Sequence, residues 1–266
     1  MDILGSYDYQ TIESMIRSFL WPLFRISGML MSMVVIGSFI VSRAKRAALA
    51  FTFTLVIIPI LPPMPVVELL SFESFMISIN QLLIGLAVGF VSRLIFETFI
   101  VAGQIIAMSS GLGFAIINDP SSGVQVPAVG QFFLMMATLI FLAVDGHLMM
   151  FELIIRSFDT LPVSTQTIPT AGIAELLGFA GMMFAAGLMM ALSAVISLLL
   201  VNLAFGILTK VAPTLNIFVI GFPIILTFGL LIMWFTIGGF MPHFDKQMQR
   251  GQNTMCTLVM MECGNG

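Results

Sequence analysis

Residues 171–210 run for nearly forty positions with Glu175 as the one charge before the closing lysine and Asn202 as the deepest polar side chain. A membrane-spanning helix needs about 20 residues, so this stretch is too long for one straight span. It reads either as one helix projecting beyond the membrane or as a hairpin broken near Gly187. Residues 72–108 pose the same problem. As one helix they would be roughly 50 Å long, and must tilt, kink or project. Only 9% of the 266 residues are charged and 59% are hydrophobic, against about 25% charged in soluble domains. No soluble fold of this length hides so much apolar surface. The chain is therefore expected to be an all-α integral membrane protein of about six long hydrophobic helices or helical hairpins, over residues 11–41, 47–61, 72–108, 129–151, 171–210 and 216–240. One polytopic helical domain is expected over residues 1–245, with a polar tail at 246–266 as a candidate for disorder. The net charge of −3 gives no sign of a nucleic-acid partner, and MDILGSYDYQ lacks the basic start of a cleavable signal peptide.

Between the third and fourth apolar segments lies MSSGLGFAIINDPSSGVQVP, residues 108–127. Gly111, Gly113 and Gly123 permit backbone shapes that other residues resist, and Asp119-Pro120 reads as a turn. Yet the centre, Leu112 to Ile117, is apolar, whereas connecting loops ordinarily lie in water. Irregular backbone at membrane depth survives only inside protein or against a water-filled cavity. The stretch reads as a plug or gate, or as a re-entrant turn that merely packs.

Few charges interrupt the helices. Arg17 reads as snorkelling to an interface with Trp21 as a belt residue. Arg25 lies too deep for that and is expected to face protein, water or a partner's carboxylate. Ser42-Arg43-Ala44-Lys45-Arg46 marks a cytoplasmic side, and Pro62-Pro63-Met64-Pro65 makes a stiff extended corner. Arg93 and Glu97 share a helix face at i and i+4, either as an intrahelix pair or as a contact to another subunit. Gly85 and Gly89, and Gly103 nearer the loop, offer faces for close helix packing. Asp145 and His147 read as a helix-end site. Ser157–Thr170 reads as a polar loop. Cys256 and Cys263 fit neither a zinc site nor a redox CxxC pair; they form a disulfide only if the tail faces an oxidising compartment. No phosphate loop or catalytic constellation is present in the sequence, so no enzyme activity, cofactor or metal is expected.

Ordered pieces of the chain resemble the FliR/SctT/SpaR family of type III export-gate proteins. They are Arg25-Ile26-Ser27-Gly28, Lys45-Arg46, Gly85 with Gly89, Ala102-Gly103-Gln104, Gly111 with Asp119-Pro120, Gly146-His147, and Ser157 with Pro162. The turn Ala212-Pro213-Thr214-Leu215-Asn216, continuing to Gly221-Phe222-Pro223, completes the set. No one piece is diagnostic; their order and spacing across residues 10–240 carry the resemblance. It implies similarity to a fusion of the small membrane subunits FliP and FliQ, within a helical export-gate assembly in the bacterial inner membrane at the flagellar basal body. Implied partners are FliP-like and FliQ-like subunits, FlhB-like and FlhA-like export proteins, membrane lipid, and unfolded flagellar polypeptides as substrates. The implied channel plug is residues 108–125, with Gly111, Leu112, Gly113, Phe114, Ile116, Ile117, Asn118, Asp119 and Pro120 at its heart. Arg25, Arg93 and Glu97 are the implied assembly charges, and Pro213 and Asn216 the family turn. The competing reading is a secondary transporter or ion channel that uses Arg93 and Glu97, or Asp145 and His147, as a coupling site.

Overall fold

The computed structural model describes residues 9–37, 41–114, 116–118, 125–211 and 217–263. Among these the helices are α1 (Tyr9–Ser32), α2 (Val34–Gly37), α3 (Arg43–Ile57), α4 (Phe72–Ser109), α5 (Ala128–Ala143), α6 (Gly146–Thr160), α7 (Thr170–Val211), α8 (Ile217–Gly238) and α9 (Phe240–Leu258). A short antiparallel ribbon, β1 (Ile116–Asn118) with β2 (Gln125–Pro127), is the one departure from an all-α chain among the described residues. The chain divides into two compact units. One comprises Met1–Arg93, Asp145–Leu177 and Gln252–Gly266; the other comprises Leu94–Val144 and Gly178–Gly251.

Among the described residues two helices, Phe72–Ser109 and Thr170–Leu208, are long and apolar enough to cross a membrane. Two broken pairs, α5 with α6 and α8 with α9, raise the number to four if each pair is one span. About six long hydrophobic helices or helical hairpins were expected. The difference lies at the start of the chain, where α1 carries Glu13, Arg17 and Arg25 and α3 has only 15 residues. The 38 residues of α4 extend about 57 Å at 1.5 Å each, well beyond a hydrocarbon core of about 30 Å. The 42 residues of α7 form one helix, so the hairpin broken near Gly187 does not form.

In the first unit the basic cluster is the opening turn of α3 rather than a linker before it, and Ser42 gives that turn no side-chain cap. Pro59 ends the helix in a 3-10 turn, Ile58–Ile60. The extended proline corner follows. Leu61, Met64 and Val67 from that corner pack on a buried cluster of Trp21, Ile77, Phe158 and Val163. Arg17 corrects its snorkelling assignment. It is 7% exposed, pairs with Glu13 at 3.1 Å and donates to Val67 O at 2.8 Å, while Leu69 N donates to Glu13 Oε1 at 3.1 Å. The two charges are held by the corner's backbone, and Trp21 is a core residue rather than a belt residue.

The fourth segment breaks where no proline or glycine precedes the break. Asp145 adopts the left-handed φ of 56°, a shape that aspartate tolerates better than most side chains, and α6 starts after it. Ser157 is consequently helical, in the last turn of α6, and the polar loop begins only after Thr160. The last described helix, α9, runs on through residues 246–258. Phe240 and Phe244 of α9 join the core of the second unit, with ring centroids 4.9 and 5.9 Å from Phe99. The apolar residues of α9 sit on one face among polar ones, a pattern that averages to a polar segment when read without its period.

Candidate functional site

The loop after α4 is built on a fixed stem and a turn that needs glycine. Ser110 is fully buried and lies against Gly229 of α8, where a Cβ would come 2.5 Å from Ser110 Cβ. Gly111 follows with φ 76°, a left-handed shape that L side chains resist. Gly113 has no such need, because a Cβ there would meet Met108 Cα at an ordinary 3.5 Å. Leu112–Phe114 form a 3-10 turn. The ribbon then pairs Ile116 with Pro127, Ile117 with Val126 and Asn118 with Gln125. Ribbon and turn both rest on α5. Ile116 is 55% exposed and Met108 76%, so these apolar side chains are not buried by this chain. The side chains of Phe114, Ile117 and Asn118, and all of Asp119, Pro120 and Gly123, lie outside the described residues, as do Pro213 and Asn216 of the family turn.

Arg25 makes four side-chain hydrogen bonds to described residues of the first unit. It is 0% exposed. Its Nε donates to Gln81 Oε1 at 2.7 Å. Its Nη1 donates to Ser157 O at 2.9 Å and Ser157 Oγ at 3.0 Å, and its Nη2 to Leu161 O at 2.8 Å. The guanidinium also lies 4.1 Å from the centre of the Phe158 ring. Among the described residues its partners include no carboxylate. Two of them are carbonyls at the C-terminus of α6, the negative end of a helix dipole, and an arginine fork satisfies several acceptors at once. Arg25 thus joins α1, α4 and α6 and caps α6. Sequence reasoning singled out Arg25 but missed Gln81, a buried amide in an apolar helix, and treated Ser157 only as a family match. The signal was present: two polar residues in apolar surroundings, of the types that receive a guanidinium.

Glycine makes α1 and α4 cross in close contact. A Cβ on Gly28 would come 2.6 Å from Leu82 O; one on Gly85 would strike the carbonyl of Arg25, and one on Gly89 would come 2.5 Å from Met29 O. The close-packing face expected at Gly85 and Gly89 is therefore an α1–α4 crossing. Gly103 makes a second crossing, within the other unit, where a Cβ would come 2.5 Å from Gly130 Cα of α5. Arg93 is exposed on α4 and Glu97 is half-buried. Asp145 is exposed at the α5–α6 break, and His147 half-buried in the first turn of α6, so this pair lies at the start of a helix. No group of three metal-binding side chains occurs among the described residues.

Fold and site together define a helical membrane protein held by glycine crossings and the buried guanidinium of Arg25. The model of the family "Bacterial export proteins, family 1" matches residues 16–251, and the chain belongs to that family. It is 35% identical over 220 residues to the flagellar biosynthetic protein FliR of Escherichia coli (strain K12), covering 83% of this chain and 84% of that protein. It is 36% identical over 218 residues to FliR of Pectobacterium carotovorum subsp. carotovorum, covering 82% and 83%. To FliR of Aquifex aeolicus (strain VF5) it is 30% identical over 227 residues, covering 85% and 87%.

Proposed function

We propose that this chain is a core subunit of the flagellar type III protein-export gate, set in the bacterial inner membrane at the basal body, and that residues 108–125 plug its channel. The carrying observation is that the loop is apolar, has a fixed stem, and leaves Ile116 and Met108 uncovered by its own chain. Such side chains need a dry place, and a channel lumen lined by other subunits supplies one. The glycine turn at Gly111 permits rearrangement when an unfolded polypeptide arrives. Leu112, Phe114, Ile116 and Ile117 are the seal in this reading.

A second observation supports assembly. The most apolar window of α7 is only 28% buried, against 67% for that of α4. Its exposed residues include Leu188, Met189, Leu192, Ile196, Leu199 and Leu203. Gly178 and Gly181 of the same helix have nothing within 4 Å of an added Cβ, which leaves small-residue positions for other helices. FliP-like and FliQ-like membrane subunits, FlhB-like and FlhA-like export proteins and lipid are the partners that fit.

Reconstitution into liposomes, alone and with the FliP-like and FliQ-like subunits, tests the proposal. The chain alone is expected to move neither ions nor small solutes, and to co-purify with those subunits as one complex. Coupled solute flux by the chain alone would establish a transporter instead.

A further inference from the structure

Cys256 and Cys263 are the chain's two cysteines, and nothing in the proposed gate uses them. Their Cα atoms stand 6.0 Å apart and their sulfurs are bonded; disulfides span Cα separations of about 4.4–6.8 Å. The bond closes a defined turn. Met261 N donates to Cys256 O at 2.8 Å and Met260 N to Thr257 O at 3.3 Å, with Met260 between them at φ 59°. This is the helix-ending turn whose left-handed position is usually glycine. A methionine there is disfavoured, and a crosslink from Cys256 to Cys263 holds the chain in it.

The turn is packed rather than trailing. Cys256 is 2% exposed, and Leu258 and Val259 are buried. Thr160 Oγ1, at the end of α6, donates to Val259 O at 2.6 Å. Leu258 Cα lies 3.1 Å from where a Cβ on Gly172 would stand.

Position gives the bond its meaning. The disulfide turn rests on Thr160, beside Leu161, which Arg25 holds, and close in sequence to Val163, which packs on Trp21. The basic cluster packs beside α1, where Arg43 and Arg46 line a groove with Ser27 and Met31. Basic clusters mark the cytoplasmic side, while disulfides persist in oxidising compartments and are rare in the cytosol. The two signals come from different residues of one unit: the basic cluster marks the cytoplasmic side, and the disulfide marks an oxidising one.

We infer that Cys256 and Cys263 are oxidised to a disulfide on the non-cytoplasmic side, and that the end of the first unit carrying Thr160 and the disulfide turn faces that compartment. The oxidant is a disulfide-bearing thiol oxidoreductase. The thiolate of Cys263, the more exposed of the two, attacks one sulfur of the oxidant's disulfide and releases the other as a thiolate. The Cys256 thiolate then attacks the mixed disulfide, forming the Cys256–Cys263 bond and releasing the oxidant as a dithiol. Two protons and two electrons leave the protein.

The test uses the full chain in its own membrane. Membranes are denatured with excess maleimide and no reductant, and the chain is weighed intact. The expected result is no adduct, and two adducts after prior reduction; two adducts without reduction would overturn the bond. Orientation is read on Cys256→Ser, whose Cys263 should react with a membrane-impermeant maleimide in intact spheroplasts. If that variant fails to accumulate, the wild-type chain is treated with an impermeant phosphine before labelling. Reaction only after the spheroplasts are lysed would overturn the orientation. Neither readout depends on export, so the gate proposal stands or falls separately.

Discussion

Arg25 gives the sharpest prediction about how the first unit holds together. Two substitutions separate its charge from its shape. Arg25→Lys keeps a buried cation but replaces the fork with one compact ammonium. The four acceptor contacts, at 2.7–3.0 Å, reach Gln81, two atoms of Ser157, and Leu161, and a single ammonium cannot meet all of them. Hydrogen bonds to charged groups contribute about 1.5–3 kcal/mol each, so losing two costs about 3–6 kcal/mol while the charge stays buried. Arg25→Met removes the charge and its desolvation cost. Ser157 O keeps the Leu161 N–H at 2.9 Å, so the acceptors left bare are Gln81 Oε1 and Leu161 O. At about 1–3 kcal/mol each these cost about 2–6 kcal/mol, partly offset by the lost desolvation. The lysine variant should therefore be no more stable than the methionine variant. The assay is thermal unfolding of the detergent-solubilised chain. A loss of 3 kcal/mol lowers Tm by about 6–12 °C in a chain of this size. Near wild-type stability of Arg25→Lys, with Arg25→Met unstable, would refute the reasoning, because charge alone would then suffice, as it would for an arginine answering a partner's carboxylate.

Other perturbations follow from the same geometry. Gly85→Ala drives a methyl into the carbonyl of Arg25 and should destabilise by about 1–3 kcal/mol or more, measured as a fall in Tm. Gly178→Ala, with nothing within 4 Å, should instead gain up to about 1 kcal/mol of helix propensity; if both substitutions behave alike in the isolated chain, the α1–α4 crossing is misplaced. Gly111→Val places a β-branched residue at φ 76°, a strain of about 1–2 kcal/mol. It should alter export while leaving co-purification of the complex intact; unchanged export would mean the turn does not matter. Glu13→Ala removes both the partner of Arg17 and the acceptor for Leu69 N, so limited proteolysis within residues 62–70 should quicken several-fold without a large change in Tm.

Much of this was legible in residue order, and the failures have physical reasons. Segment α4 was read within one residue of its end, because its apolar run is long and the glycine-rich loop stops it. The depth of Arg25 showed that it could not face lipid, but its acceptors come from residues 56 and 132–136 positions away, a juxtaposition that only the fold creates. Arg17 was misread because snorkelling is an outcome for a cation without local acceptors, and the proline corner supplies one. The break at Asp145 was missed because aspartate marks a left-handed turn less strongly than glycine does. The ribbon was missed although its signal exists, with β-branched Ile116, Ile117 and Val126 flanking a turn-rich centre.

The plug is the centre of the account, and ion leak tests it most directly. Cells carrying a deletion of residues 111–117 would be assayed for loss of membrane potential, with co-purification of the partner subunits confirming that the complex forms. An assembled complex with a leaky membrane is the predicted result. An assembled complex in a membrane as tight as the wild type would contradict it, and would place the seal outside this loop.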